Sequence, residues 1–267
     1  MRRPRRPPKR HRPVRRQTGT RGSVLLLVVL LWGGTEGRAQ VQPSSPMPDE
    51  TAEPHFCSRE TVHRSLDARG LALVYCATHP GIVAPLQGAH ASARPVFYGA
   101  VPAAWVGAGI AQDQASVAAA YRLTLTQGLT YGLVVGVKHA VGRPRPYVYR
   151  PLKARTERHR PPAPGDAHLS FPSGHASLSA ALVTSWGLSH PRWYVIGPGA
   201  LWTTGVALSR MHLGVHYPSD VLVGTLLGVG MAVLVHELRR SVTPSPFRAS
   251  PATHGLQAPP LVLRVQF

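Results

Sequence analysis

The stretch SFPSGHASLSAALVTSWGL, Ser170–Leu188, places Pro-Ser-Gly-His directly before a run of small and apolar residues. Such a run is typical of a helix that packs closely against other helices. Ser173 then stands at the N-cap. An isolated motif of this kind is usually only a turn, but a helix start also favours an anion, because its free N–H groups and its dipole attract negative charge. Gly174 would let the anion approach the backbone, and His175 would face it as a proton donor.

Similar apolar segments make up much of the chain after residue 94. They are Pro95–Ala111, Ser116–Val141, Ser173–Leu188, Trp193–Ser209 and Pro218–Val235. Their composition predicts an all-α fold, a helical bundle of about five to six helices. Several segments hold only about 15 uncharged residues, whereas a membrane span needs ~20. Length alone therefore leaves open whether the bundle is membrane-embedded or a soluble core.

The chain is strongly basic, with a formal net charge of +19. Most of this charge lies in two stretches, residues 1–22 and residues 138–160. A basic N-terminal arm is compatible with nucleic-acid binding. However, an apolar run at 23–34 and the small residues Gly37 and Ala39 follow it, as in an exported protein. We therefore expect a signal peptide or an uncleaved membrane anchor over residues 1–39, and no nucleic-acid partner.

The predicted organisation has three further parts. Residues 40–96 form a linker and an N-terminal extracytoplasmic segment, residues 97–240 form the core, and residues 241–267 form a polar tail. Within the second part, residues 58–72 are expected to form a polar amphipathic helix. Residues 70–86, broken by His79-Pro80, are expected to be a membrane-interfacial or periplasmic segment and not a membrane span. Cys57 and Cys76 either pair in an oxidising compartment or remain two partly buried thiols.

Two further clusters of polar residues lie at the ends of apolar segments. In the first, KHAVGRPRP, the cations Lys138, Arg143 and Arg145 are either ordinary flanking charges or a phosphate clamp. The second, SRMHLGVHYPSD, contains Arg210, His216 and Asp220.

Asp220 follows His216 by four residues, so its carboxylate can hold one imidazole nitrogen and leave the other free to attack. A single His-Asp pair at a helix start is more often structural than catalytic. His139 and His212 lack such a partner in the sequence and are interpreted as structural.

Taken together, the three clusters closely resemble the tripartite signature of the type 2 phosphatidic acid phosphatase (PAP2) superfamily. The signature is K-x6-R-P at Lys138, P-S-G-H at Pro172 and S-R-x5-H-x3-D at Ser209, and all eleven specified positions match. The resemblance covers about residues 95–237 and implies a helical bundle, expected to be membrane-embedded, with its active site at helix ends on one face.

The resemblance also implies a role for each matching residue. Ser173 and Gly174 bind the phosphate, and His175 is the general acid. His216 is the nucleophile that forms a phosphohistidine, and Asp220 orients it. The cations that hold the phosphoryl oxygens are Lys138, Arg145 and Arg210. The two histidines are expected to start in opposite states, with His216 neutral and His175 protonated, and no metal or cofactor is expected.

These residues predict a metal-independent phosphatase for lipid phosphates, phosphatidate-like or isoprenyl diphosphate, in the cell membrane with its site facing the exterior or periplasm. Counting spans from a cytoplasmic N-terminus places the loops 142–172 and 210–217 outside. One alternative is a soluble, exported acid phosphatase for small esters, and a less favoured one is a vanadium-dependent haloperoxidase. A basic membrane-anchored binding protein without activity is the non-enzymatic alternative. Arg150, Arg155, Arg158 and Arg160 either attract an anionic head group or form a solvated loop.

Overall fold

The computed structural model of the protein describes residues 56–58, 63–150, 152–155 and 164–247. Residues 1–39, most of the predicted linker and the end of the C-terminal tail lie outside the described residues. In the part that the structure describes, all regular secondary structure is helical. The prediction of an all-α bundle is therefore confirmed.

The helices follow one another along the chain with mostly short connections. They are α1 (Leu66–Tyr75), α2 (Pro80–Ala111), α3 (Gln114–Val141), α4 (Pro146–Tyr149), α5 (Gly174–Ser189), α6 (Trp193–His212), α7 (Pro218–Glu237) and α8 (Arg239–Val242). Short 3-10 helices lie at Pro164–His168 and Ser245–Phe247.

Capping residues explain where several of these helices begin and end. The carboxylate of Asp113 accepts a hydrogen bond from the backbone N–H of Ser116 at 2.8 Å and caps the start of α3. Gly142 ends α3 in the left-handed region with φ of 59°, a conformation that a residue with a Cβ rarely adopts. Pro80 stands in the first turn of α2, where its missing N–H costs nothing.

Helix α2 differs from the sequence prediction. It begins at Pro80 rather than at Pro95, and it contains Pro85, Pro95 and Pro102. Proline removes a backbone donor and is expected to break a helix. Packing maintains the helix here, since Ala89 and Ala93 pack against the buried Val206 of α6. The expected domain boundary at 96/97 therefore falls inside one continuous helix.

The N-terminal described segment packs against the same core. Helix α1 begins later than predicted, at Leu66, because the Ser65 side chain accepts a hydrogen bond from Ala68 N–H at 3.1 Å and caps it. Cys57 and Cys76 form a disulfide with a Cα–Cα distance of 5.6 Å. Tyr75 is fully buried in the cluster that this segment shares with α6 and α7.

Helix α5 lies at the centre of the bundle, where it contacts α3, α6 and α7. Its closest neighbour is α7, whose Gly224 and Gly228 form a G-x-x-x-G pattern against it. The backbone N–H of Ser173 donates to the carbonyl of Asp220 at 2.9 Å, which joins the starts of α5 and α7. The ends of α3 and α6 reach the same region, so that four helix ends converge at one end of the bundle.

Among the described helices, α7 alone is long and apolar enough to cross a membrane, with a mean hydropathy of 1.8. One such helix is weak support for membrane embedding.

Candidate active site

The start of helix α5 presents a buried hydroxyl to the site. Ser173 is fully buried and occupies the N-cap position, but its side chain makes no capping hydrogen bond. Its Oγ has no hydrogen-bond partner among the described residues. An unsatisfied buried hydroxyl costs ~1–3 kcal/mol, so it is typical of a ligand site. A Cβ on Gly174 would lie 3.9 Å from Lys138 Cε, which places the cation of α3 beside the same helix start.

Three buried or partly buried cations surround this helix start. Lys138 Nζ donates to the carbonyl of Leu169 at 2.5 Å. Arg145 is 9% exposed, and its Nε donates to the carbonyl of Asp166 at 2.8 Å. Arg210 is 8% exposed. Hydrogen bonds to neighbouring backbone hold the first two side chains in place, which favours a preorganised anion site.

His216 lies near enough to these cations for the charges of all three to affect it. It is 2% exposed, and its Nδ1 lies 3.7 Å from Asp220 Oδ2 and 3.5 Å from Ser170 Oγ. Burial lowers the pKa of His216 to about 3 although Asp220 acts in the opposite direction, and the three cations add to the lowering. His216 is therefore neutral at physiological pH, with Nε2 on the side of the ring away from Asp220.

Asp220 joins the loop before α7 to two other segments. Its Oδ2 accepts from Ser170 Oγ at 2.5 Å and from the backbone N–H of Tyr217 at 2.8 Å. Its Oδ1 accepts from Arg143 NH1 at 2.5 Å. The carboxylate is fully buried, and these bonds satisfy its charge. Asp220 is therefore held rigidly beside His216.

His175 lies in the first turn of α5, and its Nε2 is buried without a hydrogen-bond partner among the described residues. Its ring packs edge-on against Phe97 at 5.6 Å between centroids. Burial, followed by the charge of Arg210, lowers the pKa of His175 well below its usual range. The expectation that His175 starts protonated is therefore not met by the protein alone. A phosphate dianion beside Nε2 would raise this pKa.

Several residues around the site were not assigned roles from the sequence. Asp67 of α1 accepts from Arg143 NH2 at 2.7 Å and from the backbone N–H of Ser219 at 2.9 Å. Arg143 therefore pairs with two carboxylates, and it is not available to bind phosphate beside Lys138 and Arg145. His90 of α2 accepts a hydrogen bond from Arg210 NH1 at 3.0 Å. These partners are distant in sequence, and no local pattern indicates them.

The two histidines interpreted as structural make backbone contacts. His212 Nδ1 lies 3.1 Å from the carbonyl of Val74, and His139 Nδ1 lies 2.9 Å from the carbonyl of Val135. Among the described residues, no group of three or more His, Cys, Asp or Glu is placed to hold a metal ion.

The comparison with known proteins matches the region of the chain that contains the candidate site. Residues 119–243 match the family model of the PAP2 superfamily. The chain is 40% identical over 93 residues to decaprenylphosphoryl-5-phosphoribose phosphatase of Mycobacterium tuberculosis, covering 32% of this chain and 49% of that protein. It is 30% identical over 107 residues to lipid A 1-phosphatase of Rhizobium johnstonii, covering 37% and 38%.

A third relative is phosphatidylglycerophosphatase B of Escherichia coli, 34% identical over 77 residues, covering 28% of this chain and 30% of that protein. The matches thus span about half the length of the mycobacterial relative and less of the others. The crystal structure of Aquifex aeolicus LpxE superposes with a TM-score of 0.53 at 20% identity, over 65% of this chain and 96% of that one. At this identity the likeness concerns the fold alone.

The family match falls on the helices whose ends carry the three clusters, and the LpxE fold agrees with their packing. Residues 119–243, slightly less than half of the chain, therefore match the PAP2 superfamily.

Proposed function

We propose that the protein is a metal-independent phosphatase that hydrolyses lipid phosphates, phosphatidate-like or isoprenyl diphosphate, through a phosphohistidine on His216. The observation that carries the proposal is a buried, neutral His216 surrounded by three cations at the start of a helix. The three relatives are all named as phosphatases of lipid-linked substrates, which supports the substrate class.

The phosphoryl group binds between the cations and the start of α5. Lys138, Arg145 and Arg210 neutralise its oxygens, and Ser173 Oγ donates the hydrogen bond that it does not make within the protein. The backbone N–H groups at the start of α5 add donors that need no reorganisation during the reaction. Phosphoryl transfer depends mainly on such positioning and charge stabilisation.

The first step transfers the phosphoryl group to the enzyme. The lone pair of His216 Nε2 attacks phosphorus, the P–N bond forms, and the bond from phosphorus to the leaving oxygen breaks. Asp220 stabilises the positive imidazole that results. His175, protonated in the presence of the phosphate, gives its proton to the leaving oxygen. The lipid alcohol or lipid phosphate therefore departs with an O–H bond in place of its bond to phosphorus.

The second step releases inorganic phosphate. His175 is now neutral and takes a proton from a water molecule, whose oxygen attacks the phosphorus of the phosphohistidine. The P–N bond breaks and its electron pair returns to His216 Nε2. Both histidines are then in their starting states, because the proton that His175 gave up has been replaced from water.

We also propose that the protein works at a membrane, with the converging helix ends on the extracytoplasmic side. Residues 1–39 would serve as the signal peptide or anchor. The disulfide between Cys57 and Cys76 supports an oxidising compartment. A lipid phosphatase must also reach its substrate in the bilayer, and α7 offers an apolar surface for this contact.

The test is phosphate release by the detergent-purified protein in EDTA, with a long-chain isoprenyl diphosphate, phosphatidate and p-nitrophenyl phosphate as substrates. His216→Ala is expected to lose more than ~10³-fold in rate, because it removes the nucleophile. His139→Ala is the matched control and should retain activity, since its exposed imidazole hydrogen-bonds the backbone of its own helix in the part of the chain that the structure describes. Acid-labile labelling of the wild-type protein by a radioactive substrate would support the phosphohistidine.

Four results would contradict parts of the proposal. Activity that EDTA removes and Mg²⁺ restores would overturn the metal-independent mechanism, and an active His216→Ala variant would overturn the nucleophile. Hydrolysis of p-nitrophenyl phosphate alone, by a protein found in osmotic-shock fluid, would favour the soluble acid phosphatase. Vanadate should inhibit the enzyme, whereas activation of halide oxidation would favour a haloperoxidase.

A further inference from the structure

Helix α2 brings one imidazole to the candidate site, that of His90, which precedes the residues that match the family model. His90 is half-buried, and its Nδ1 lies 3.0 Å from Arg210 NH1. A guanidinium has donors only, so Nδ1 is the acceptor of this hydrogen bond and the ring proton is on Nε2. His90 is therefore neutral while it holds Arg210.

This hydrogen bond fixes a side chain that lies close to both histidines of the candidate site. Arg210 is 8% exposed, and its charge acts on His175 and on His216. The ring of His90 lies 6.4 Å from the ring of His175, between centroids. An arginine side chain has many rotamers, so an acceptor that fixes it before the phosphate arrives lowers the entropic cost of binding.

Other contacts hold α2 against α6 on either side of His90. Before it, Ala89 packs in one cluster with the buried Val206 of α6. After it, Ser92 Oγ accepts a hydrogen bond from Trp202 Nε1 at 2.9 Å. Because these contacts join the two helices, the hydrogen bond of His90 serves to fix the Arg210 side chain rather than to dock α2.

The residue type at position 90 matters as much as its place. Arg143 gives the contrast, because it pairs with the carboxylates of Asp67 and Asp220, which balance its charge. A carboxylate in place of His90 would balance the charge of Arg210 in the same way and would compete with a phosphate. A neutral imidazole holds the guanidinium without adding a negative charge, so the charge of Arg210 stays available to the phosphate.

We propose that His90 is a positioning residue, which holds Arg210 in place for the phosphate and adds no negative charge beside it. This inference rests on the proposed function, which makes Arg210 a phosphate ligand. It assigns a role in phosphate binding to a residue that stands outside the three sequence clusters.

The test measures the binding of inorganic phosphate to the detergent-purified full chain by isothermal titration calorimetry, together with kcat and KM for phosphatidate. His90→Asn keeps an acceptor, because the amide oxygen of asparagine lies as many bonds from Cα as Nδ1 does. His90→Asp places a carboxylate oxygen at the same position, and His90→Leu removes the acceptor. His139→Leu is the matched control, since it removes an exposed imidazole that hydrogen-bonds the backbone of its own helix. Melting temperatures establish that each variant is folded.

His90→Leu is expected to weaken phosphate binding and to raise KM about tenfold, the range of one hydrogen bond to a charged group, with little change in kcat. His90→Asn should stay within about twofold of the wild type in both quantities. His90→Asp should bind phosphate about tenfold more weakly than His90→Asn, because its carboxylate repels the anion and balances Arg210. In an Arg210→Gln background, His90→Leu should have no further effect. His139→Leu should match the wild type.

Equal phosphate affinity in His90→Asp and His90→Asn would overturn the inference, because a purely structural acceptor tolerates either residue. This pair also decides the question if His90→Leu does not fold. Wild-type affinity in a folded His90→Leu variant, or a loss that persists in the Arg210→Gln background, would overturn it as well. A fall in kcat alone would do the same and would connect His90 with proton transfer by His175.

The phosphate-binding measurement separates this inference from the proposed function. A wild type that binds phosphate with the expected dependence on His90, but releases none from phosphatidate, would contradict the proposed function and leave the positioning of Arg210 standing. A wild type that releases phosphate from phosphatidate, with the same KM in all the His90 variants, would overturn the inference and leave the proposed function standing.

Discussion

Helix α7 approaches the start of α5 at Gly224, where a methyl group has no room. A Cβ at this position would lie 2.6 Å from the carbonyl oxygen of Ser173 and 3.2 Å from its backbone nitrogen. Both atoms belong to the backbone, so the conflict cannot be relieved by rotating a side chain. Gly224→Ala must therefore move the start of α5 away from α7.

The size of this movement follows from the contact distance. Restoring an ordinary separation of about 3.4 Å from 2.6 Å requires a shift of roughly 0.8 Å. Overpacking of this kind costs ~1–3 kcal/mol of stability. The shift also displaces Ser173 and His175 from the phosphate position, and a misplacement of ~1 Å can cost about 10²-fold in rate. We expect kcat/KM for p-nitrophenyl phosphate to fall by roughly that factor.

The assay compares Gly224→Ala with Gly230→Ala on the same helix. A Cβ at Gly230 would meet no atom within 4 Å, so this control keeps full activity and gains up to ~1 kcal/mol from better helix propensity. Steady-state rates and melting temperatures are measured for both variants in the same detergent. A folded Gly224→Ala variant with more than half of the wild-type kcat/KM would refute the reasoning.

Three further perturbations test the surroundings of the proposed nucleophile, His216. The pKa of His216 is about 3 in the folded protein and about 6.5 in an unfolded chain, so the unfolded state gains a proton first and stability falls as pH drops between these values. In thermal melts at several pH values across that range, the melting temperature of His216→Gln should fall less than that of the wild type. Melting temperatures that fall equally in the two proteins would contradict this. Asp67→Asn removes one carboxylate from Arg143, so kcat should fall about tenfold with little change in KM, and a raised KM with unchanged kcat would point to phosphate binding instead. Replacing Cys57 and Cys76 with serine opens a link between residues 19 apart and should cost ~3 kcal/mol, and an unchanged melting temperature would contradict it.

The limits of most helices could be predicted from local signals. The segments predicted at Ser116–Val141, Trp193–Ser209 and Pro218–Val235 correspond to α3, α6 and α7 within three residues at each end. Caps and charged flanks mark these ends in the sequence. The start of α5 was also predicted correctly, because a Pro-Ser-Gly motif before an apolar run is a local helix signal. The start of helix α2 was not predicted. Its prolines suggest a helix boundary, but packing keeps the helix continuous through them.

In the candidate site, too, the residues that form local clusters could be predicted from the sequence, and the residues that depend on packing could not. Residues at helix ends, such as Lys138 and His216, stand in recognisable clusters, and the structure brings those clusters together. Their partners could not be found in this way, because Ser219 and Asp67 are 152 residues apart and Arg210 and His90 are 120 apart. Such pairs depend on the packed arrangement of whole helices, which no spacing in the sequence records.

These distant partners also extend the candidate site to residues that precede the family match. The family match covers residues 119–243, yet Asp67 and His90 lie before it. Asp67 holds Arg143 and the start of α7, and His90 holds Arg210, one of the three cations. The disulfide between Cys57 and Cys76 ties down the segment that carries Asp67. The N-terminal helices therefore complete the positioning of the proposed nucleophile, His216, and of one proposed phosphate ligand, Arg210.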